Sequence, residues 1–247
     1  MKKQLYLYGV VEANEGKNIG PLGLSTSGTP DEIMLHSHQG LGVIYVEKEL
    51  EEDEELAASR KNLVNHQRIV ELLMQDYTVL PFAFGTLLND TAAINELVEE
   101  RKDELEKSLK KIKGKIELNL KILWEDMDVI FEKIISENAS IKEKRQYLID
   151  HNIQDQDQKI ELGKMVEASL EEKKETMLKQ VVEELTPFTV DHKIQKTISD
   201  AMFANLAFLI NRSDEKEFDQ KVNDLSEKMG SNLVFKYVGP MAPVNFI

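Results

Sequence analysis

At 247 residues the chain is long enough for one large domain or two small ones, and a chain of this length buries roughly 70% of the surface its unfolded form exposes. It contains no cysteine, which excludes disulfides, thiolate nucleophiles and thiolate metal sites and fits a reducing compartment. Thirty-one basic against forty-five acidic side chains give a net charge of -14, a poor match for nucleic acid or an anionic lipid surface.

The N-terminus reaches Glu12 before any long apolar run, so Leu5 to Val11, alternating and carrying Tyr6 and Tyr8, reads as a first strand and not a signal peptide. Gly16 to Gly28 is glycine-rich and reads as loop, with strands following at Ile33 to His36 and Leu41 to Val46. The acidic run Glu47 to Glu55 reads as the approach to a helix, since acid favours a helix's positive end. That helix carries Leu56, Leu63, Val64, Val70, Leu73 and Met74 on roughly one face. The apolar segment Leu80-Pro81-Phe82-Ala83-Phe84-Gly85 reads as a strand whose proline and glycine mark a bend or a close approach of backbone. Asn89 or Asp90 is placed to cap a second helix through Ile94, Leu97, Val98, Leu105, Leu109 and Ile112, which Gly114 closes. The lysines from Lys107 to Lys115 form the most basic stretch, and they sit where the negative end of that helix's dipole favours them.

The strict alternation of Ile116, Leu118, Leu120, Ile122 and Trp124 predicts one long half-buried strand, and Asp126 caps a helix after it through Ile130 and Ile134. Asn138 to Leu185 is helical and highly charged until Pro187 ends it, a helical hairpin inserted into a sheet domain. An apolar strand near Phe203 to Ile210, a helix capped by Ser213 or Asp214, and a strand from Leu233 to Val238 complete the chain. Two strands flanking a helix resemble half of a ferredoxin-like unit. No run reaches the roughly 20 apolar residues that a membrane-spanning helix needs.

His36 and His38 share a strand face, as metal ligands do, but no third ligand or supporting partner is evident, so no metal is assigned. His66 lies on the first helix near Asn62 and Arg68, where a hydrogen-bonded structural role is expected over that of a catalytic base. The chain has no Gly-x-Ser-x-Gly elbow, phosphate-binding loop or dinucleotide fingerprint, and Pro21 interrupts the glycine-rich stretch, so neither an enzyme nor a cofactor is expected.

Tyr6-Leu7-Tyr8-Gly9, His66, Leu80 to Thr86, the Gly114-Lys115-Ile116-Glu117 to Trp124 strand and Gly239-Pro240 to Asn245-Phe246 occur in an order that resembles the gas vesicle protein F/L family over nearly the whole chain. Two departures stand out: Ala83 where the family commonly has arginine, and Met241-Ala242-Pro243-Val244 where it has an aromatic, proline-rich ending. The resemblance implies an α+β protein with a ferredoxin-like N-terminal domain over residues 1–113. A second, modified ferredoxin-like α+β domain over 114–247 would carry the helical insertion at 138–187. It further implies a cytoplasmic accessory protein of gas vesicle formation, associated with gas vesicles, that binds the apolar shell subunit and assists its delivery or assembly into the wall, acting only during assembly or staying as a minor vesicle component; other accessory proteins are further partners, and the net charge leaves nucleic acid out. Pro81, Phe82, Phe84 and Gly85 are the partner-binding candidates, through a sheet edge or an apolar groove. A ferredoxin-like regulatory protein that binds a small molecule is the alternative.

Overall fold

Tyr6, Leu7, Tyr8, Val10 and Val11 are all nearly inaccessible in β1 (Lys2–Glu12), because this strand lies inside a sheet and is covered on both faces. The computed structural model describes residues 2–22, 30–50 and 57–247. In it the chain forms two compact units, Met1–Glu117 with Pro240–Ile247, and Leu118–Gly239. The α+β class expected from the sequence is the class seen.

In the first unit β2 (Lys17–Leu22), β3 (Asp31–His38) and β4 (Leu41–Leu50) lead to β1 in antiparallel order. The short strands β5 (Leu80–Pro81) and β6 (Leu87–Leu88) both pair with the other side of β1. Leu7 lies opposite Tyr45 but Gly9 opposite Ile44, so Tyr8 is an extra residue that shifts the alternation of β1. Leu5, Leu7 and Val10 consequently face one core with Leu41, Val43 and Tyr45, closed by Ile94, Val98, Leu105, Leu109 and Ile112 of α2 (Thr91–Ile112). Asp90, whose carboxylate accepts the Ala93 N–H at 2.9 Å, caps α2, and Gly114 at φ +69° turns the chain out of it.

Three expectations change here. The glycine-rich segment is not all loop: residues 17–22 are β2, and residues 23–28 lie outside the described residues. Glu47 to Leu50 end β4 instead of approaching a helix, with Lys3 3.7 Å from Glu47 across the pair; Glu51 to Leu56 lie outside the described residues. The helix itself, α1 (Arg60–Leu73), starts at Ser59, whose hydroxyl accepts the Asn62 N–H. Its burial is confined to the C-terminal half at Ile69, Val70, Leu73 and Met74, which leaves Leu63 and Val64 exposed.

The second unit holds most of β7 (Lys115–Trp124), in which Ile116, Leu118, Leu120, Ile122 and Trp124 are buried as their alternation requires. Then come α3 (Met127–Glu137), α4 (Ala139–Asp150), α5 (Gln156–Leu185), β8 (Asp191–Ile194), β9 (Met202–Asn211), α6 (Glu215–Met229) and β10 (Leu233–Met241). The sheet order β10-β7-β9-β8 is consistent with a ferredoxin-like pattern in which α3 to α5 replace the first helix. Asp126, Asn138 and Asp155 cap α3, α4 and α5, and a 3₁₀ turn at Thr186–Phe188 containing Pro187 follows α5. Asp214 occupies the cap position of α6, but its carboxylate accepts from Ser213 Oγ and Asn211 Nδ2, not from the helix.

Candidate functional site

The register of β1 with its short partners builds the site. Val10 and Gly9 pair with Leu80 and Pro81, and Tyr6 and Leu5 pair with Leu87 and Leu88. Between these pairs residues 82–86 stand against only Leu7 and Tyr8, so the edge strand breaks and its middle leaves the sheet as a loop. The strand expected from Leu80 to Gly85 therefore ends at Pro81. Phe82 N–H donates to the Tyr8 carbonyl and Leu7 N–H to the Thr86 carbonyl, each at 3.0 Å, which pins both ends of the loop. Gly85 at φ +88° makes its turn, closed by Thr86 Oγ1 on the Ala83 carbonyl at 2.7 Å. Gly9 permits the approach of β5: a Cβ there would lie 2.6 Å from Val79 Cγ1 and 2.9 Å from the Leu80 carbonyl oxygen.

His66 of α1 supports this loop from beneath. Its Nε2 donates to the Phe82 carbonyl at 3.2 Å, and because a carbonyl can only accept, Nδ1 is the bare nitrogen that accepts the Tyr6 hydroxyl at 2.6 Å. Tyr8 stacks on the imidazole with centroids 5.4 Å apart, and Phe84 meets both Tyr6 and His66 edge-on. Burial holds the His66 pKa below its ordinary value, against the opposing pull of the Phe82 carbonyl. Burial likewise pushes the Tyr6 hydroxyl up to about 12, with the Gly85 backbone working the other way. Both ring nitrogens are engaged in hydrogen bonds, and the imidazole so ties the loop to β1.

Above this cluster, within the first unit, lies a hollow of about 300 Å³ with mainly apolar walls. One wall is the α1 face that carries His66 and Val70; a second is Pro81, Phe82 and Phe84; the third is Met241, Ala242 and Val244 of the C-terminal tail. Gln67 and Glu71, hydrogen-bonded to each other at 2.9 Å, form its polar rim. Of the residues singled out from sequence, Pro81, Phe82 and Phe84 line the hollow, whereas Gly85 shapes the turn beside it. Phe82 also packs against the core under α2. The tail was not foreseen as a wall. It is held by Glu117, fully buried, whose carboxylate accepts the Asn245 N–H at 2.9 Å and Asn245 Nδ2 at 2.5 Å. Lys111 Nζ donates to the Phe246 carbonyl at 2.6 Å, and the Phe246 ring is buried.

His36 and His38 reach α2, to Asn95 Oδ1 at 2.8 Å and Glu99 Oε1 at 2.7 Å. Among the described residues no group of three or more His, Asp or Glu side chains is arranged to hold a metal ion. A larger hollow of about 550 Å³ lies among the helices of the second unit, but Glu137, Asn138, Glu172 and Lys173 give it polar walls. No helix of the described residues is long and apolar enough to cross a membrane.

Residues 4–247 match the family model described as gas vesicle synthesis protein GvpL/GvpF. The chain belongs to this family. A GvpL/GvpF member has a role in gas vesicle formation. Among its relatives, gas vesicle protein F of Dolichospermum flosaquae is 28% identical over 249 residues, spanning all of this chain and 98% of that one. The crystal structure of GvpF from Anabaena sp. PCC7120 is similar with a TM-score of 0.86 at 25% identity, covering 99% of this chain and 98% of that one. GvpF from Microcystis aeruginosa gives 0.81 at 24% identity with 98% of each chain covered, a likeness of fold. Residues from the segments that carry the GvpL/GvpF resemblance are linked within the first unit: Tyr6 and the Phe82 carbonyl through His66, Gly9 against Leu80, and Glu117 with Asn245 of the tail.

Proposed function

We propose that the chain binds the apolar shell subunit of the gas vesicle and assists its delivery into the growing wall, and that an apolar side chain of the subunit docks in the hollow between α1, the 82–86 loop and the C-terminal tail. The observation that carries this reading is the apolar hollow itself, built where the family's motif segments converge. An apolar subunit free in water self-associates through its exposed surface, and covering that surface delays assembly until a wall is at hand. The net charge of -14 keeps such a complex dispersed. Of the two docking modes open from sequence, the broken edge strand favours the groove: an added strand would find no continuous ladder past residues 82–86. The chain acts in the cytoplasm, associated with gas vesicles and with other accessory proteins there.

Co-expression with the shell subunit, followed by size-exclusion chromatography of the soluble fraction, tests this. Co-elution is expected, with Val244→Asp, at a half-exposed position on the rim, reducing it at least tenfold while the chain stays folded. A subunit that remains insoluble beside an unchanged chain would refute subunit holding. A saturable thermal shift with a small apolar compound, in that case, would favour the regulatory reading, since about 300 Å³ is at the lower end of the ligand-pocket range.

A further inference from the structure

We propose that Glu117 is a positioning residue that latches the C-terminal tail in place as the third wall of the hollow, and that docking of the shell subunit requires the latched tail. This rests on the docking reading above and adds to it the part that holds the site together.

Apolar contact holds only part of the tail. Ala242, Pro243 and Phe246 are buried, but Val244 and Ile247 are about half exposed. Polar bonds add to these contacts at residues 245 and 246. Glu117 follows Ile116 in a strand whose alternation would turn it outward, yet it is fully buried, and it accepts both the backbone and the side-chain amide of Asn245. A buried carboxylate is costly unless hydrogen-bonded, so the two donors of Asn245 answer a need that apolar contact cannot meet. Lys111, on the last turn of α2, adds a second polar tie one residue further along at the Phe246 carbonyl. Between these ties and the body of β10 lie Ala242 and Val244, which with Met241 at the end of that strand close the hollow. Charge-assisted bonds at one end of so short a segment set the position of the whole wall.

The absence of cysteine makes the test clean. Ala242→Cys places a lone thiol at a buried position on the wall, and its rate of reaction with a maleimide reports the wall's opening. Adding Asn245→Asp sets a second carboxylate against Glu117. The expected result is labelling at least tenfold faster, unchanged far-UV circular dichroism, and co-elution with the shell subunit reduced to background. Asn245→Ala, which removes only the side-chain bond, should do the same to a smaller degree and serves if Asn245→Asp fails to fold. Labelling that stays at the parent rate in both variants would overturn the latch, and faster labelling with undiminished co-elution would overturn the requirement of docking for a latched tail. Should the parent chain capture no subunit at all, the docking reading fails with it, while the labelling rates still decide whether Glu117 holds the tail.

Discussion

Replacing His66 by phenylalanine tests the reasoning about the loop most directly. The phenyl ring keeps the stacking surface that Tyr8 uses but removes both polar bonds of the imidazole. Loss of the bond to the Phe82 carbonyl costs about 0.5–1.5 kcal/mol, and a buried Tyr6 hydroxyl deprived of its acceptor, with only the Gly85 backbone left beside it, costs about 1–3 kcal/mol more. His66→Phe should therefore lower the free energy of unfolding by roughly 2–4 kcal/mol in a urea titration followed by circular dichroism. Tyr6→Phe added to it removes the stranded hydroxyl, so the pair should be less damaging than the sum of the singles by about 1–2 kcal/mol. The effect also depends on pH. Burial places the folded-state pKa of His66 below the unfolded value of about 6.5, so the unfolded chain takes up the proton first as pH falls. The advantage of the parent over His66→Phe is then full above about pH 6.5 and shrinks as pH drops toward the folded-state pKa. A gap that is flat or widening between about pH 8 and about pH 5, or singles that simply add, would refute the account of His66 as a buried neutral bridge.

Gly9→Ala and Gly85→Ala should fail for different reasons. The Gly9 methyl would meet Val79 and the Leu80 carbonyl, so thermal denaturation should show a loss of about 1–3 kcal/mol or more with displacement of β5. Gly85 has open space around it, and the strain of φ +88° alone should cost about 1–2 kcal/mol in the same measurement. In the second unit, Phe218→Ala removes a fully buried ring 5.1 Å from Phe208 and should destabilise by about 3–5 kcal/mol, read through the fluorescence of Trp124. Asp126→Ala removes the acceptor for the Asp128 and Val129 N–H groups and should cost about 1 kcal/mol by the same probe.

The elements legible in the sequence are those whose period outlasts their neighbours' influence. α2 runs for 22 residues with one buried stripe, and β7 alternates through Trp124, so both could be placed with their caps and faces. What stayed hidden depends on a partner strand. β2 and β8 are edge strands, and β8 is four residues long and mostly exposed, so it carries no apolar signal. Glu47 to Leu50 are strand only because Lys2 to Leu5 lie opposite them. The candidate segment was legible in composition but not in shape. Phe82 and Phe84 alternate as a strand would, yet whether they form one depends on how many residues β1 offers opposite them, and β1 offers too few.

The hidden half of the site has the same origin. An alternating pattern assigns Glu117 to the exposed face, and nothing local contradicts that, because the donors that allow its burial lie 128 residues away in sequence at Asn245. A buried acid at a polar position of an alternating strand can therefore be foreseen only as a pair, with its distant amide. This is also why the tail cannot be treated as a loose end appended to β10. Removing it would leave a carboxylate buried without these two donors as well as a hollow without a wall, so truncation before Pro240 should cost stability and binding together, whereas Val244→Asp should cost binding alone.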